Sequence, residues 1–129
     1  MSAIKPTVLE AAVPILSVTD LTKALHYYQT VLGFQVAWCW GEPARLASVC
    51  RDRVEVNLWQ SSEAQFAGSK VYFRMAGVAG YYNDVTIAGA RVAIALADRP
   101  YGLTDFRIVD PYGNELSFGE PTATSPGVS

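Results

Sequence analysis

Residues 107–120 read "RIVDPYGNELSFGE": a β-rich run, a four-residue turn signal, then a second alternating run that ends in a carboxylate. In Asp110-Pro111-Tyr112-Gly113 the proline presets φ at the second turn position and the glycine suits the fourth. The stretch therefore predicts a hairpin joining 103–109, "LTDFRIV", to 114–120, "NELSFGE".

Upstream of this hairpin lie a strand at 69–75, "SKVYFRM", a helix-like segment at 77–89, "GVAGYYNDVTIAG", and a strand at 90–96, "ARVAIAL". The first half of the chain runs through the same order. "VPILSV" at 13–18 is a strand, and Thr19 or Asp20 offers an N-cap for "LTKALHYYQTVL". Leu21, Ala24, Leu25, Tyr28, Val31 and Leu32 fall at helical spacing before Gly33, and "QVAWCW", "ARLASVC" and "RVEVNLW" follow as strands. Val31-Leu32-Gly33 and Val36 recur as Ile87-Ala88-Gly89 and Val92. The order predicts an α+β fold of two tandem βαβββ modules, about 12–60 and 69–120, whose curved mixed sheets surround a cleft with the helices on the outer faces. Residues 121–129 carry no apolar pattern and are expected to fray.

Side chains alternate between the two faces of a strand, so the apolar set identifies the face that seats the helix. Val54, Val56 and Leu58 belong to that set and leave Glu55, Asn57 and Trp59 on the open face. By the same parity Lys70, Tyr72 and Arg74 face the cleft, as do Glu115, Ser117 and Arg107, while Leu116 and Phe118 seat the helix. Trp38 and Trp40 share a face, assigned to the cleft, and Tyr101 lies in the loop before the closing hairpin, where it would rim it.

At 129 residues the chain is one domain with little room to enclose a large pocket alone. A net charge of −2 and ten scattered Lys and Arg argue against a nucleic-acid partner. The N-terminal stretch has no long apolar core and no segment approaches membrane-spanning length, so the expected setting is cytoplasmic, with no membrane partner. Cys39 and Cys50 are then expected to be reduced, half-buried apolar residues. The sole histidine, His26, falls off the core-facing stripe of the first helix and reads as a surface residue. No Ser-His-acid set and no glycine-rich phosphate loop is apparent, and no catalytic residue is assigned.

"VPILSVTDLTKALHYYQTVLGF" at 13–34 and "DFRIVDPYGNELSFGE" at 105–120 resemble the strand-Asp-helix-Leu-Gly-Phe run and the Asp-Pro-x-Gly-Asn hairpin of the vicinal oxygen chelate superfamily. That superfamily includes glyoxalase I, extradiol dioxygenases, fosfomycin-resistance enzymes and bleomycin-resistance proteins. The resemblance implies a homodimer whose clefts are built from both chains. It also implies metal positions at Val13, Glu55, Lys70 and Ser117, of which only Glu55 is an ordinary ligand, so neither a metal nor another cofactor is expected.

"AVPILSVTD" and "PYGLTDFRIVDPYGN" further resemble the bleomycin-resistance branch, whose members bind the drug without altering it. The implied ligand is a planar aromatic antibiotic of the bleomycin type, held by stacking and by carboxylates around a cationic tail. Trp38, Trp40, Trp59, Tyr72 and Tyr101 are the stacking candidates; Glu55, Asp105, Glu115 and Glu120 are the carboxylates; and Asn57, Arg74, Arg107 and Ser117 complete the expected site. Lys70 and Arg74 would better suit an anionic or neutral aromatic. A metal-dependent lyase, isomerase or dioxygenase using Glu55 is the alternative from another class.

Overall fold

The computed structural model describes residues 5–62 and 68–122. β1 (Ile15–Val18) leads into α1 (Leu21–Thr30), followed by β2 (Gln35–Gly41), β3 (Ala44–Arg51) and β4 (Val54–Gln60). β5 (Lys70–Arg74), α2 (Val78–Ile87), β6 (Arg91–Asp98), β7 (Leu103–Val109) and β8 (Glu115–Pro121) repeat the order. The sheets have orders β1-β4-β3-β2 and β5-β8-β7-β6, each with one parallel pair at its β1 or β5 edge. The expected α+β architecture of two tandem βαβββ modules is present. β8 includes Pro121, so regular structure reaches into the segment expected to fray; residues 123–129 lie outside the described residues.

The helices form for different local reasons. Asp20 caps α1 by accepting the Lys23 amide at 3.0 Å. α2 starts at Gly77, which has φ +78° and no side-chain cap of its own. Its first amides are met from β8, where the Glu120 carboxylate accepts Val78 N at 2.8 Å and Gly77 N at 3.3 Å. A carboxylate there also complements the positive end of the helix dipole.

Each helix packs on its own sheet, α1 on β2–β4 and α2 on β6–β8. The apolar faces then merge into one core across the modules, with Leu16, Tyr28, Val56 and Leu58 from the first and Val85, Phe106, Leu116 and Phe118 from the second. Phe34 meets Phe73 edge-on with ring centres 6.5 Å apart, and the Tyr81 hydroxyl donates to the Leu32 carbonyl at 2.7 Å. These contacts lie on the helix side of the sheets.

The Asp110–Asn114 turn is the clasp between the modules. Asp110 is 3% exposed, and its carboxylate accepts the Tyr28 hydroxyl at 2.7 Å as well as the Tyr112 amide, the Asn114 amide and the Asn114 side-chain NH2, each at 2.9 Å. Asn114 also donates to the Ser17 carbonyl at 3.1 Å and accepts the Ser69 amide at 3.0 Å. Burial, then the Asp110 charge and hydrogen bond, push the Tyr28 hydroxyl well above its ordinary pKa, so it remains a donor.

Cys39 and Cys50 are free thiols. Cys50 is half-buried as expected, but Cys39 is exposed because β2 is an edge strand. Cys39 pairs with Ala47 and Cys50 with Gln35 and Glu55, which puts the two thiols on opposite faces of the sheet. His26 is exposed, as its place on α1 predicts.

Candidate functional site

Two open sheet faces carry the residues singled out by strand alternation. On the first sheet the register aligns Trp38, Ser48, Asn57 and Ile15 in one row and Trp40, Leu46, Trp59 and Ser17 in the next. All three tryptophans therefore share this face, where Trp38, Trp40 and Trp59 are 42%, 66% and 44% exposed. Beneath them the Ser48 hydroxyl, fully buried, donates to Glu55 at 2.6 Å. The Asn57 side-chain oxygen is shielded from solvent and has no hydrogen-bond partner, leaving an acceptor beside the indoles.

The second face is organised around Asp105. Its carboxylate accepts the Tyr101 hydroxyl at 2.6 Å, the Tyr72 hydroxyl at 2.8 Å and the Arg99 Nε at 2.8 Å. Burial opposes ionisation of Asp105, but bonds from Tyr101, Arg99 and Tyr72 outweigh it and hold the carboxyl below its ordinary range. Both phenols are pushed up: Tyr72 by burial and then Asp105, Tyr101 first by its bond to Asp105. They are fixed neutral rings, held edge-first by one anion.

Gly119 makes this arrangement possible. It lies beside Arg74 and Asp105 in the ladder, and a Cβ there would collide with the Tyr72 hydroxyl and approach the Asp105 Cβ to 2.9 Å. Alongside, Arg107 Nε donates to Ser117 Oγ at 3.1 Å, and its Nη1 lies 3.3 Å from Glu115. Lys70 also pairs with Glu115, at 3.8 Å. Tyr72, Ile94, Arg99, Tyr101, Arg107 and Ser117 line a pocket of about 180 Å³ with Asp105 at its base.

The candidate residues thus separate into two groups. Trp38, Trp40, Glu55, Asn57 and Trp59 occupy the first face, and Tyr72, Tyr101, Asp105, Arg107 and Ser117 the second. Among the described residues no hydrogen bond, ion pair or ring contact joins the two faces within one chain. Arg74 stands apart: it lines a different cavity, between the β3–β4 turn and α2. All four expected carboxylates have partners, but only Glu55 is held by a single neutral donor, Ser48; Asp105 meets three donors, Glu115 two cations and Glu120 the start of α2.

Sequence reasoning missed Arg99 and Ile94. Arg99 was discoverable, because it lies in the same loop as Tyr101, six residues before Asp105. Ile94 was not, because register shifts at 92–94 and 94–97 break simple alternation on β6.

The residues present do not fit a divalent metal. Val13 has no donor, and the ladder sets Glu115 rather than Ser117 beside Lys70. Glu55 and Glu115 are the remaining oxygens; the first holds Ser48 and the second is neutralised by Lys70 and Arg107. No group of three His, Cys, Asp or Glu gathers among the described residues. Nor is any helix among them long and apolar enough to cross a membrane.

Comparison with solved structures returns the same architecture. TioX from Micromonospora sp. ML1 superposes with a TM-score of 0.76 at 21% identity, covering 88% of this chain and 99% of TioX. A bleomycin resistance determinant encoded on the transposon Tn5 gives 0.77 at 18% identity over 88% and 98% of the two chains. The bleomycin-binding protein of bleomycin-producing Streptomyces verticillus, solved with copper(II)-bleomycin, gives 0.75 at 17% over 88% and 97%. At these identities the likeness speaks for the fold alone. No curated protein matches the sequence. The family model described as "Glyoxalase superfamily protein" matches residues 2–124, nearly the whole chain, and the protein is a member of that family, with the vicinal oxygen chelate fold.

Proposed function

We propose that this protein is a cytoplasmic, metal-free binding protein that sequesters a planar aromatic small molecule, with an antibiotic of the bleomycin type as the leading candidate. The observation that carries this reading is the pair of complementary open faces, one bearing three exposed indoles and the other two phenols locked onto Asp105. Flat π-systems stack on such surfaces, and fixed rings lose little entropy when they do. Ile15, Trp38, Trp40 and Trp59 on one face, and Tyr72, Ile94 and Tyr101 on the other, are all at least 40% exposed, which is unusual for a monomer. In a homodimer the indole face of one copy would oppose the phenol face of its partner, giving two clefts. The solved bleomycin-binding neighbours support the ligand class by analogy.

The test is a tryptophan-fluorescence titration with metal-free and copper-loaded bleomycin. Saturable quenching at one drug per chain is expected; a flat response up to millimolar drug would remove bleomycin as the ligand. A neutral or anionic aromatic is the second reading. It is favoured by the prior engagement of Asp105, Glu115 and Glu120, which leaves Glu55 as the principal carboxylate for a cationic tail.

A further inference from the structure

The β3–β4 and β7–β8 turns are counterparts in the two modules, yet they leave different surroundings. β7 and β8 are joined by a turn in which Asp110 N donates to the Asn114 carbonyl, and its side chains fill the seam against α1. In the first module Arg51 pairs directly with Val54, leaving only Asp52 and Arg53 at the tip. Asp52 has φ +53°, the left-handed conformation of a tight two-residue turn. The shorter turn does not fill its seam, and a cavity of about 580 Å³ opens between it and α2.

The lining of this cavity has a definite chemistry. Phe34, Phe73, Tyr81 and Phe118, core rings each no more than 8% exposed, present their edges as its aromatic floor. Arg51, Arg53 and Arg74 stand around it against two carboxylates, Asp52 and Asp84. Arg51 is preset: Nη1 donates to the Leu32 carbonyl at 3.0 Å, and the guanidinium lies 5.0 Å from the Tyr81 ring centre. One of its five N–H donors serves that carbonyl, and its Nε lies 3.9 Å from the Asp52 carboxylate, a loose pair at an exposed turn. Arg53 and Arg74 have no hydrogen-bonding or carboxylate partner among the described residues.

From these features we infer a second binding site, separate from the open faces, for a small aromatic carboxylate. Its volume falls in the range of small-molecule pockets, roughly 300–1,000 Å³. A neutral ring would leave the guanidinium groups unused, and a cation would meet three of them. Inorganic phosphate would have no use for the aromatic floor. A ring bearing a carboxylate satisfies both halves of the lining, because a guanidinium matches a carboxylate in two-pronged geometry and the ring replaces water over the phenyl groups. The inference does not depend on the ligand of the open faces.

Isothermal titration calorimetry on the full chain tests it, with naphthalene-2-carboxylate as probe and naphthalene-2-carboxamide as its neutral counterpart. Gly80→Leu is the blocking variant: Gly80 lines the cavity, an added Cβ meets nothing within 4 Å, and leucine is the better helix former. Arg53→Glu reverses one rim charge on an exposed turn and keeps the test valid should Gly80→Leu fold poorly. Measured in a Trp59→Ala/Tyr101→Ala background, which removes stacking on the open faces, the expected result is one carboxylate bound per chain, at least tenfold weaker for the amide and on addition of Arg53→Glu or Gly80→Leu. Absence of binding in that background, equal affinity for the amide, or affinity unchanged by both Arg53→Glu and Gly80→Leu would overturn the inference.

Discussion

The two modules share a topology and differ in where they spend their polar groups. The second concentrates them: Asp110 and Asn114 stitch its closing turn to the first module, and Asp105 gathers Tyr72, Tyr101 and Arg99 on its open face. The first module has neither hub. Its closing turn is two residues at an exposed tip, and its open face is three indoles over one Ser48–Glu55 bond. One module therefore supplies fixed geometry and the other supplies adaptable apolar area, and a cleft made of both would combine orientation with affinity.

The comparison breaks most sharply at the clasp. Replacing Asp110 by Ala leaves the Tyr28 hydroxyl and the Asn114 side chain buried without their acceptor, and we expect a loss of about 3 kcal/mol or more in urea denaturation. Asp52→Ala at the exposed opposite turn should cost no more than about 1 kcal/mol, since Asp tolerates the positive φ only somewhat better than Ala and its pair with Arg51 is solvent-exposed. Equal losses would deny that the clasp is one-sided.

Gly119 sharpens the same contrast on the open face. Gly119→Ala must displace Tyr72 from Asp105, with an expected cost of about 1–3 kcal/mol in stability and weaker ligand binding. Truncating Trp59 or Tyr101 to Ala should weaken binding by about 1–3 kcal/mol where either ring stacks on ligand. Unchanged affinity in both variants would remove the proposed platform.

The Asp105 hub also has a pH signature. Because its carboxyl is held below the ordinary range in the folded chain, its contribution is full above the unfolded pKa and declines as pH falls through the lower folded value. The stability gap between the native chain and Asp105→Asn should thus be constant near neutrality and close only in acid below about pH 4. A gap that instead opened on acidification would contradict the hub. The smallest effect is at the seam cavity, where Gly80→Ala should stabilise α2 by about 0.5–1 kcal/mol, since its Cβ meets open space.

The faces of the strands were legible because alternation is local. The apolar positions Val54, Val56 and Leu58 disclosed Glu55, Asn57 and Trp59 without any knowledge of the partner strands. Partners were not legible, because they depend on contacts across the chain. Tyr28 and Asp110 are 82 residues apart, and Tyr72 and Asp105 are 33 apart. Asp105 and Glu120 consequently read as free carboxylates, whereas one organises a face and the other caps α2. Arg74 was assigned by parity to the cleft, but it lines the cavity beside the two-residue β3–β4 turn, which alternation along its own strand does not report.

The central claim is that the indole face and the phenol face work against each other from two copies of the chain. Light scattering at micromolar concentration measures this directly, without knowledge of the ligand. The account predicts a mass of twice the 14.0 kDa of one chain. A mass of a single chain, persisting on addition of an aromatic ligand that quenches the tryptophans, would contradict it.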